Sequence, residues 1–208
     1  MRATGRCTTL HGVSRTSRRA DRALIAALRG LEADGFVVGT VGNASRRDGD
    51  GLRITPTRAA YARMRPRDLV AVGLDGVRRG AGAAPSRELP LHLAVYRARP
   101  DAGAVVHTHS PRATAWSFLG RPLEPEVEES AYYGIGTVRT SEPAPAGSDA
   151  LAAAAAEGLG DGKAVLLAGH GVIAVGRDVA EATIVARSVE HQATIAWLLA
   201  GVTADRLV

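Results

Sequence analysis

Between Ala164 and Val175 the chain reads Ala-Val-Leu-Leu-Ala-Gly-His-Gly-Val-Ile-Ala-Val. Each apolar half has the length of a strand and is too short for an ordinary helix. Gly169 and Gly171 let the backbone turn sharply between the halves and approach other groups closely. The stretch therefore predicts two strands hinged on a Gly-His-Gly corner, and the elements around it must supply their partners and cover.

Those elements follow in order. Leu24, Ile25, Leu28 and Leu31 recur at helical spacing within 20–33, with Gly35 as a stop. Phe36 to Val41 predicts a strand running into the Gly42-Asn43-Ala44-Ser45 turn. Asp48-Gly49-Asp50-Gly51 predicts a hairpin turn with Leu52 to Thr55 as the return strand, and Asp68 to Val72 another strand before the Asp75-Gly76 turn. Glu88 to Arg97 is helical behind a Pro85-Ser86 cap signal. Ala104 to Val106 begins a buried strand that ends His107-Thr108-His109. Pro111 to Leu119 suits a short helix, Pro122 to Tyr133 is ambiguous, Asp149 to Leu159 is an alanine-rich helix, and Val179 to Leu199 a long closing one. No repeat or linker divides the chain. The order predicts an α/β fold: one domain over 20–208, a sandwich with a mixed or largely antiparallel sheet, behind a loose basic extension over 1–19.

Composition narrows the function classes. At 208 residues and 46% hydrophobic the chain can bury one sizeable core, and it offers no uninterrupted apolar run of the roughly 18 residues a bilayer span needs. Met1 to Arg19 is arginine-rich without an apolar core, unlike a secretory signal, although a mitochondrial-type presequence shares that character. Cys7 is the single cysteine, so no intrachain disulfide forms and a reducing, cytoplasmic setting is expected. The net charge of +5 is almost entirely arginine, dispersed among acids, and two Phe with four Tyr leave little for base stacking, which argues against nucleic acid. Lys163, the only lysine, falls in a turn where it should be solvated, which argues against imine catalysis.

The titratable residues carry the chemistry. On a strand, positions i and i+2 share a face, so His107 and His109 stand side by side. Alone, the pair is weak evidence, since two histidines at a strand end are more often packed or solvated than ligating. His170, between its two glycines, would complete three nitrogen ligands with open positions remaining, the arrangement of a catalytic metal site rather than a closed structural one. Glu88 opens a helix and His92 follows at i+4 on the same face. That pair is either a second metal arm or, as we favour, an acid with a hydrogen-bonding histidine packed behind the site.

Five motifs in register then carry a resemblance: Gly42-Asn43-Ala44-Ser45, Ile54-Thr55-Pro56-Thr57, Pro85-Ser86-Arg87-Glu88 with His92, Ala104 to His109, and Gly169-His170-Gly171, followed by Glu181-Ala182 and Glu190 on the closing helix. Over about residues 20 to 200 the chain resembles the class II aldolase/adducin-head family. The resemblance implies the class II aldolase fold and a homotetramer with active sites between neighbours. It implies one divalent metal per chain, most often Zn2+ (with Mn2+, Fe2+ or Co2+ as alternatives), held by His107, His109 and His170 and touched by Glu88, the acid/base. It implies a phosphate pocket at Gly42, Asn43, Thr57 and Ser86, with Arg87 beside it, and a proton-donating tyrosine from a neighbouring chain, for which Tyr132 and Tyr133 are the candidates. The implied reaction is reversible carbon–carbon cleavage of a ketose 1-phosphate, such as L-fuculose 1-phosphate, to dihydroxyacetone phosphate and a small aldehyde.

Two positions depart from the family pattern. Arg58 replaces a glycine after Thr57, and Arg87 replaces a serine before Glu88. An arginine there binds phosphate or carboxylate, fills the pocket, or points outward. A basic residue at position 87 also resembles family members that decarboxylate phosphorylated sugar acids, so a decarboxylase or epimerase is the alternative enzyme. A non-catalytic adducin-like binding domain is the alternative from another class, and three intact histidines with Glu88 argue against it.

Overall fold

The computed structural model describes residues 15–125 and 127–205, with side chains as far as residue 201. Most of the expected extension, with Cys7, and Glu126 of the acidic run lie outside the described residues. Helix α1 spans Arg15–Ala33, so it begins inside the stretch expected to be loose. Its buried stripe is Leu24, Ile25, Leu28 and Leu31, together with Asp21.

Among the described residues eight strands form one sheet: β1 (Asn43–Asp48), β2 (Gly51–Ile54), β3 (Val70–Gly73), β4 (Arg78–Arg79), β5 (Ala104–Thr108), β6 (Arg139–Thr140), β7 (Ala164–Leu167) and β8 (Gly171–Gly176). Their order is β4-β3-β2-β1-β5-β8-β7-β6. The β6–β7 pair is parallel and every other pair is antiparallel. Among the described residues the remaining helices are α2 (Leu89–Ala98), α3 (Pro111–Ser117), α4 (Glu128–Tyr132), α5 (Asp149–Leu159) and α6 (Val179–Asp205). No helix of the described residues is long and apolar enough to cross a membrane.

Alternation along the strands builds two cores. Ala104, Val106, Leu166, Val172 and Ala174 face one side, with α1, α3 and α6. Val105, Val165, Leu167, Ile173 and Val175 face the other, with α2 and α5. The central strands are apolar on both faces because both faces are covered. On α6, Ala182, Val185, Ala186, Val189 and Ala193 are fully buried at the 3–4 residue spacing of one helical face.

Several expectations require correction. Phe36 to Val41 is a loop rather than a strand, and β1 starts at Asn43. Gly39 and Gly42 take positive φ (65° and 73°), which ends extended pairing, and Val38 is exposed. Asp68 belongs to a 3-10 turn (Pro66–Asp68), and β3 starts at Val70. The ambiguous 122–133 stretch resolves into a bridge between Leu123 and Val138 and the short α4. Lys163 is tethered rather than solvated, donating to the Tyr133 carbonyl at 2.6 Å and to Glu181 at 2.8 Å.

Candidate active site at the end of strand β5

The β5–β8 ladder ends by bringing three imidazoles together. His107 pairs with Ile173 in register, and the corner before β8 carries His170 over it. The three ring centroids form a nearly equilateral triangle with sides of 4.8, 4.9 and 4.9 Å. Gly171 is glycine for a packing reason: a Cβ there would strike the Thr108 carbonyl and crowd His107 Cε1 and His109 Cδ2, at 3.1 and 3.2 Å. The Gly-His-Gly corner thus permits the cluster to close.

His107 is wholly buried, and its Nδ1 donates to the Val172 carbonyl at 3.0 Å. That bond holds the proton on Nδ1 and leaves the Nε2 lone pair free, the tautomer a metal ligand requires. His109 Nε2 lies 3.0 Å from His107 Nε2. Burial, and then His107 and His170, push His109 down to about 4. Burial and His107 also lower His170, against partial opposition from Glu88. One ligand nitrogen from each of the three lies within 4.8 Å of the others, a set that could hold a metal ion.

Glu88 sits directly against this set. Its Oε2 is 3.2 Å from His107 Nε2 and its Oε1 is 3.4 Å from His170 Nε2. Burial alone would raise the carboxyl, but His107, the Asn43 hydrogen bond, His170 and His92 outweigh it, so Glu88 lies below the usual carboxylate range. It is the N-cap residue of α2 and its side chain makes no capping bond, so the carboxylate remains available to the cavity.

Two loops complete the floor and rim. An isolated bridge pairs Pro56 with Pro85, Thr57 N donates to the Ala84 carbonyl, and Ser86 N donates to the Thr55 carbonyl. The Thr57 and Ser86 turns are thereby held side by side, although 29 positions apart in the chain. Gly42 is pinned beside them. A Cβ there would meet Val37 Cγ1 at 2.6 Å and the His107 carbonyl at 2.8 Å, and Tyr61 Oη donates to the Gly42 carbonyl at 2.5 Å. The resulting cavity, of about 300 Å³, is lined by Gly42, Asn43, Thr57, Ser86, Arg87, Glu88, His109 and His170 among others. Arg58 lines it too, at φ 53°, the one non-glycine positive φ among the described residues. The aliphatic stem of Arg87 lies against Gly147.

Every residue expected in the phosphate pocket therefore shares one cavity with Glu88 and two of the three histidines, and His107 lies beneath them. Tyr132 and Tyr133 do not line it. Tyr132 is 82% exposed, and its ring meets that of Tyr133 edge-on at 5.0 Å. His92 is not beside the histidine triad but behind Glu88, as favoured. Its Nε2 is 2.5 Å from Asn43 Oδ1 and its Nδ1 is 2.7 Å from Ser45 Oγ. Sequence reasoning misses the supporting roles of Ser45, Tyr61 and Tyr96. For Tyr96 a signal exists, since Glu88, His92 and Tyr96 follow one another at four-residue spacing along one face of α2.

With this geometry in view, residues 22–197 match the family model described as Class II Aldolase and Adducin N-terminal domain. The chain belongs to the class II aldolase family. It is 40% identical over 174 residues to the 5-methylthioribulose-1-phosphate/5-deoxyribulose-1-phosphate aldolase of Rhodospirillum rubrum, covering 84% of this chain and 78% of that protein. It is 38% identical over 165 residues to the L-fuculose phosphate aldolase of Haemophilus influenzae, covering 79% and 75%. The crystal structure of L-fuculose-1-phosphate aldolase from Thermus thermophilus superposes with a TM-score of 0.81 at 32% identity, covering 89% of this chain and 96% of that one. This class II aldolase is accordingly a carbon–carbon lyase, with the mixed, mostly antiparallel sandwich of its family.

Proposed function

We propose that the protein cleaves, and in reverse forms, the C3–C4 bond of a ketose 1-phosphate, yielding dihydroxyacetone phosphate and a small aldehyde. The observation that carries this is the Glu88 carboxylate, placed between His107 and His170 on the floor of a cavity whose rim is the Gly42, Thr57 and Ser86 turns. The relatives' printed substrates, 5-deoxyribulose 1-phosphate, 5-methylthioribulose 1-phosphate and L-fuculose phosphate, support that class.

His107, His109 and His170 would hold one divalent cation, with Zn2+ the best match to three neutral imidazoles and an open position. They fit such an ion: His107 has its tautomer set by Val172, and His109 is neutral at physiological pH. A cation held by these three histidines would supply Lewis acidity to the bound substrate. Glu88 returns a proton to C3 during cleavage and removes it from the hydroxymethyl carbon during synthesis. Asn43, Thr57 and Ser86, with the Gly42 turn, grip the phosphate through hydroxyl, amide and backbone N–H groups, and Arg87 adds charge at the rim. Tyr132 or Tyr133 would serve a neighbouring chain's site in a homotetramer, holding the proton of the C4 hydroxyl.

The test is direct. Zinc-supplemented protein is incubated with L-fuculose 1-phosphate, 5-deoxy-D-ribulose 1-phosphate or 5-methylthioribulose 1-phosphate, and dihydroxyacetone phosphate release is followed by a coupled reductase. Release from at least one is expected. Inertness toward all three, with CO2 released from a phosphorylated sugar acid instead, would replace the aldol reading by the decarboxylase one.

A further inference from the structure

Behind Glu88 runs a chain of hydrogen bonds between buried side chains. Asn43 Nδ2 donates to Glu88 Oε2 at 2.6 Å, and Asn43 Oδ1 faces His92 Nε2 at 2.5 Å. His92 Nδ1 faces Ser45 Oγ at 2.7 Å, and Ser45 Oγ faces Tyr96 Oη at 3.0 Å. Every member is buried, and His92 and Ser45 have no exposed surface.

Counting protons gives the chain a single direction. An ionised carboxylate only accepts, so Asn43 must turn its NH2 toward Glu88 and its carbonyl toward His92. That carbonyl needs a donor, which places the one imidazole proton of neutral His92 on Nε2. Nδ1 is then a bare acceptor and takes the Ser45 hydroxyl proton, and the Ser45 oxygen in turn accepts from Tyr96. No member has a second arrangement that satisfies all four bonds while Glu88 is ionised and His92 is neutral. A flipped Asn43 would set a carbonyl oxygen against the carboxylate, and a buried mismatch of that kind is costly.

We infer that His92, Ser45 and Tyr96 are positioning residues that lock the Asn43 amide. They thereby commit Glu88 Oε2 to an acceptor role and leave Oε1 as the oxygen that carries the substrate proton. In the synthetic direction the hydroxymethyl C–H bond breaks, its electron pair enters the enediolate, and the proton goes to Oε1. Cleavage returns the same proton to carbon. Oε1 is the oxygen that faces His170 at the open cavity, whereas Oε2 faces Asn43 and His107. The chain orients rather than conducts. Burial lowers His92 to about 3 and raises Tyr96, so neither changes charge near neutrality. This inference rests on Glu88 being the acid/base.

Two measurements decide it. The first is the 15N spectrum of His92 in the zinc-loaded wild type, with histidine-selective labelling and assignment by His92→Gln. The Nε2–H tautomer is expected, and an Nδ1–H tautomer would overturn the inference whether or not the enzyme turns over. The second is solvent-deuterium exchange into the hydroxymethyl group of dihydroxyacetone phosphate alone. His92→Leu should slow exchange at saturating dihydroxyacetone phosphate roughly tenfold to a hundredfold, with metal content kept. His92→Gln, which retains a donor and an acceptor, should recover most of the rate, and Tyr96→Phe should lose least. Wild-type exchange in His92→Leu, or equal losses in His92→Leu and His92→Gln, would contradict the positioning role. A wild type that exchanges nothing would sink the proposed reaction instead, leaving the tautomer to judge the relay.

Discussion

Asn43 and His107 are direct partners across the antiparallel β1–β5 ladder, so the residue that holds Glu88 and the candidate ligand nearest Glu88 are set by one register. A one-residue slip of β1 would turn Asn43 and Ser45 to the opposite face and empty the site. Because Ala44 and Arg46 would then face α2, the two cores and the α1 contacts resist such a slip.

Glu88→Gln should keep the metal and lose turnover. The glutamine oxygen still accepts from Asn43, so packing survives, but the group no longer takes a proton. A fall in kcat of about 10² to 10⁴ is expected from steady-state assays with unchanged metal content. Full activity in this variant would remove Glu88 from the proton transfer.

Acid should unfold the wild type through His92. Its folded pKa of about 3 lies below the ordinary 6.5. The folded state therefore binds fewer protons than the unfolded one, and the stability this reflects is complete above about pH 6.5 and lost as pH falls toward 3. The slope is about 1.4 kcal/mol per pH unit. Urea unfolding of wild type and His92→Gln at neutrality and near pH 5 should show the wild type losing about 2 kcal/mol more over that interval. Parallel losses would mean that His92 does not titrate on unfolding.

Arg58→Gly should separate strain from binding. A side chain at φ 53° costs about 1 kcal/mol that glycine avoids, partly offset by the looser unfolded chain. Thermal stability should hold or rise slightly, while KM for the phosphorylated substrate increases if the guanidinium reaches the phosphate. An unchanged KM would assign Arg58 an outward-pointing role.

Asp21→Ala should destabilise without touching the site. Asp21 is buried and pairs with Arg46 at 2.6 Å and Arg53 at 3.3 Å, joining α1 to β1 and β2. Removing it takes a shared buried carboxylate from two guanidinium groups, of which Arg46 keeps Asp48 and the Ser17 carbonyl and Arg53 keeps the Pro66 carbonyl, and costs about 1 to 3 kcal/mol. Denaturant unfolding should register this, with the His92 tautomer unaltered.

Much of the molecule is legible from local pattern. Helix α5 appears at its expected bounds because Ser148 caps it, accepting from Leu151 N, and alanines fill it. His107 and His109 share a face because a strand alternates, whatever its neighbours. Strands β4 and β6, two residues each, carry too little pattern to register. Phe36 to Val41 misleads because β-branched residues favour a strand, while Gly39 and Gly42 bend the backbone out of one. The Asn43–Glu88 bond joins residues 45 positions apart and depends on strand order, which periodicity does not carry. Serine at 45 reads as part of a turn; only with β1 paired to β5 does it face His92.

The central claim is that His107, His109 and His170 hold a catalytic divalent ion against Glu88. Elemental analysis of protein purified without a metal-affinity tag or chelator tests it most directly. Close to one zinc, or another divalent ion, per chain is expected, together with its loss in His109→Ala. Protein that carries no metal and takes up none on addition of zinc would contradict the claim.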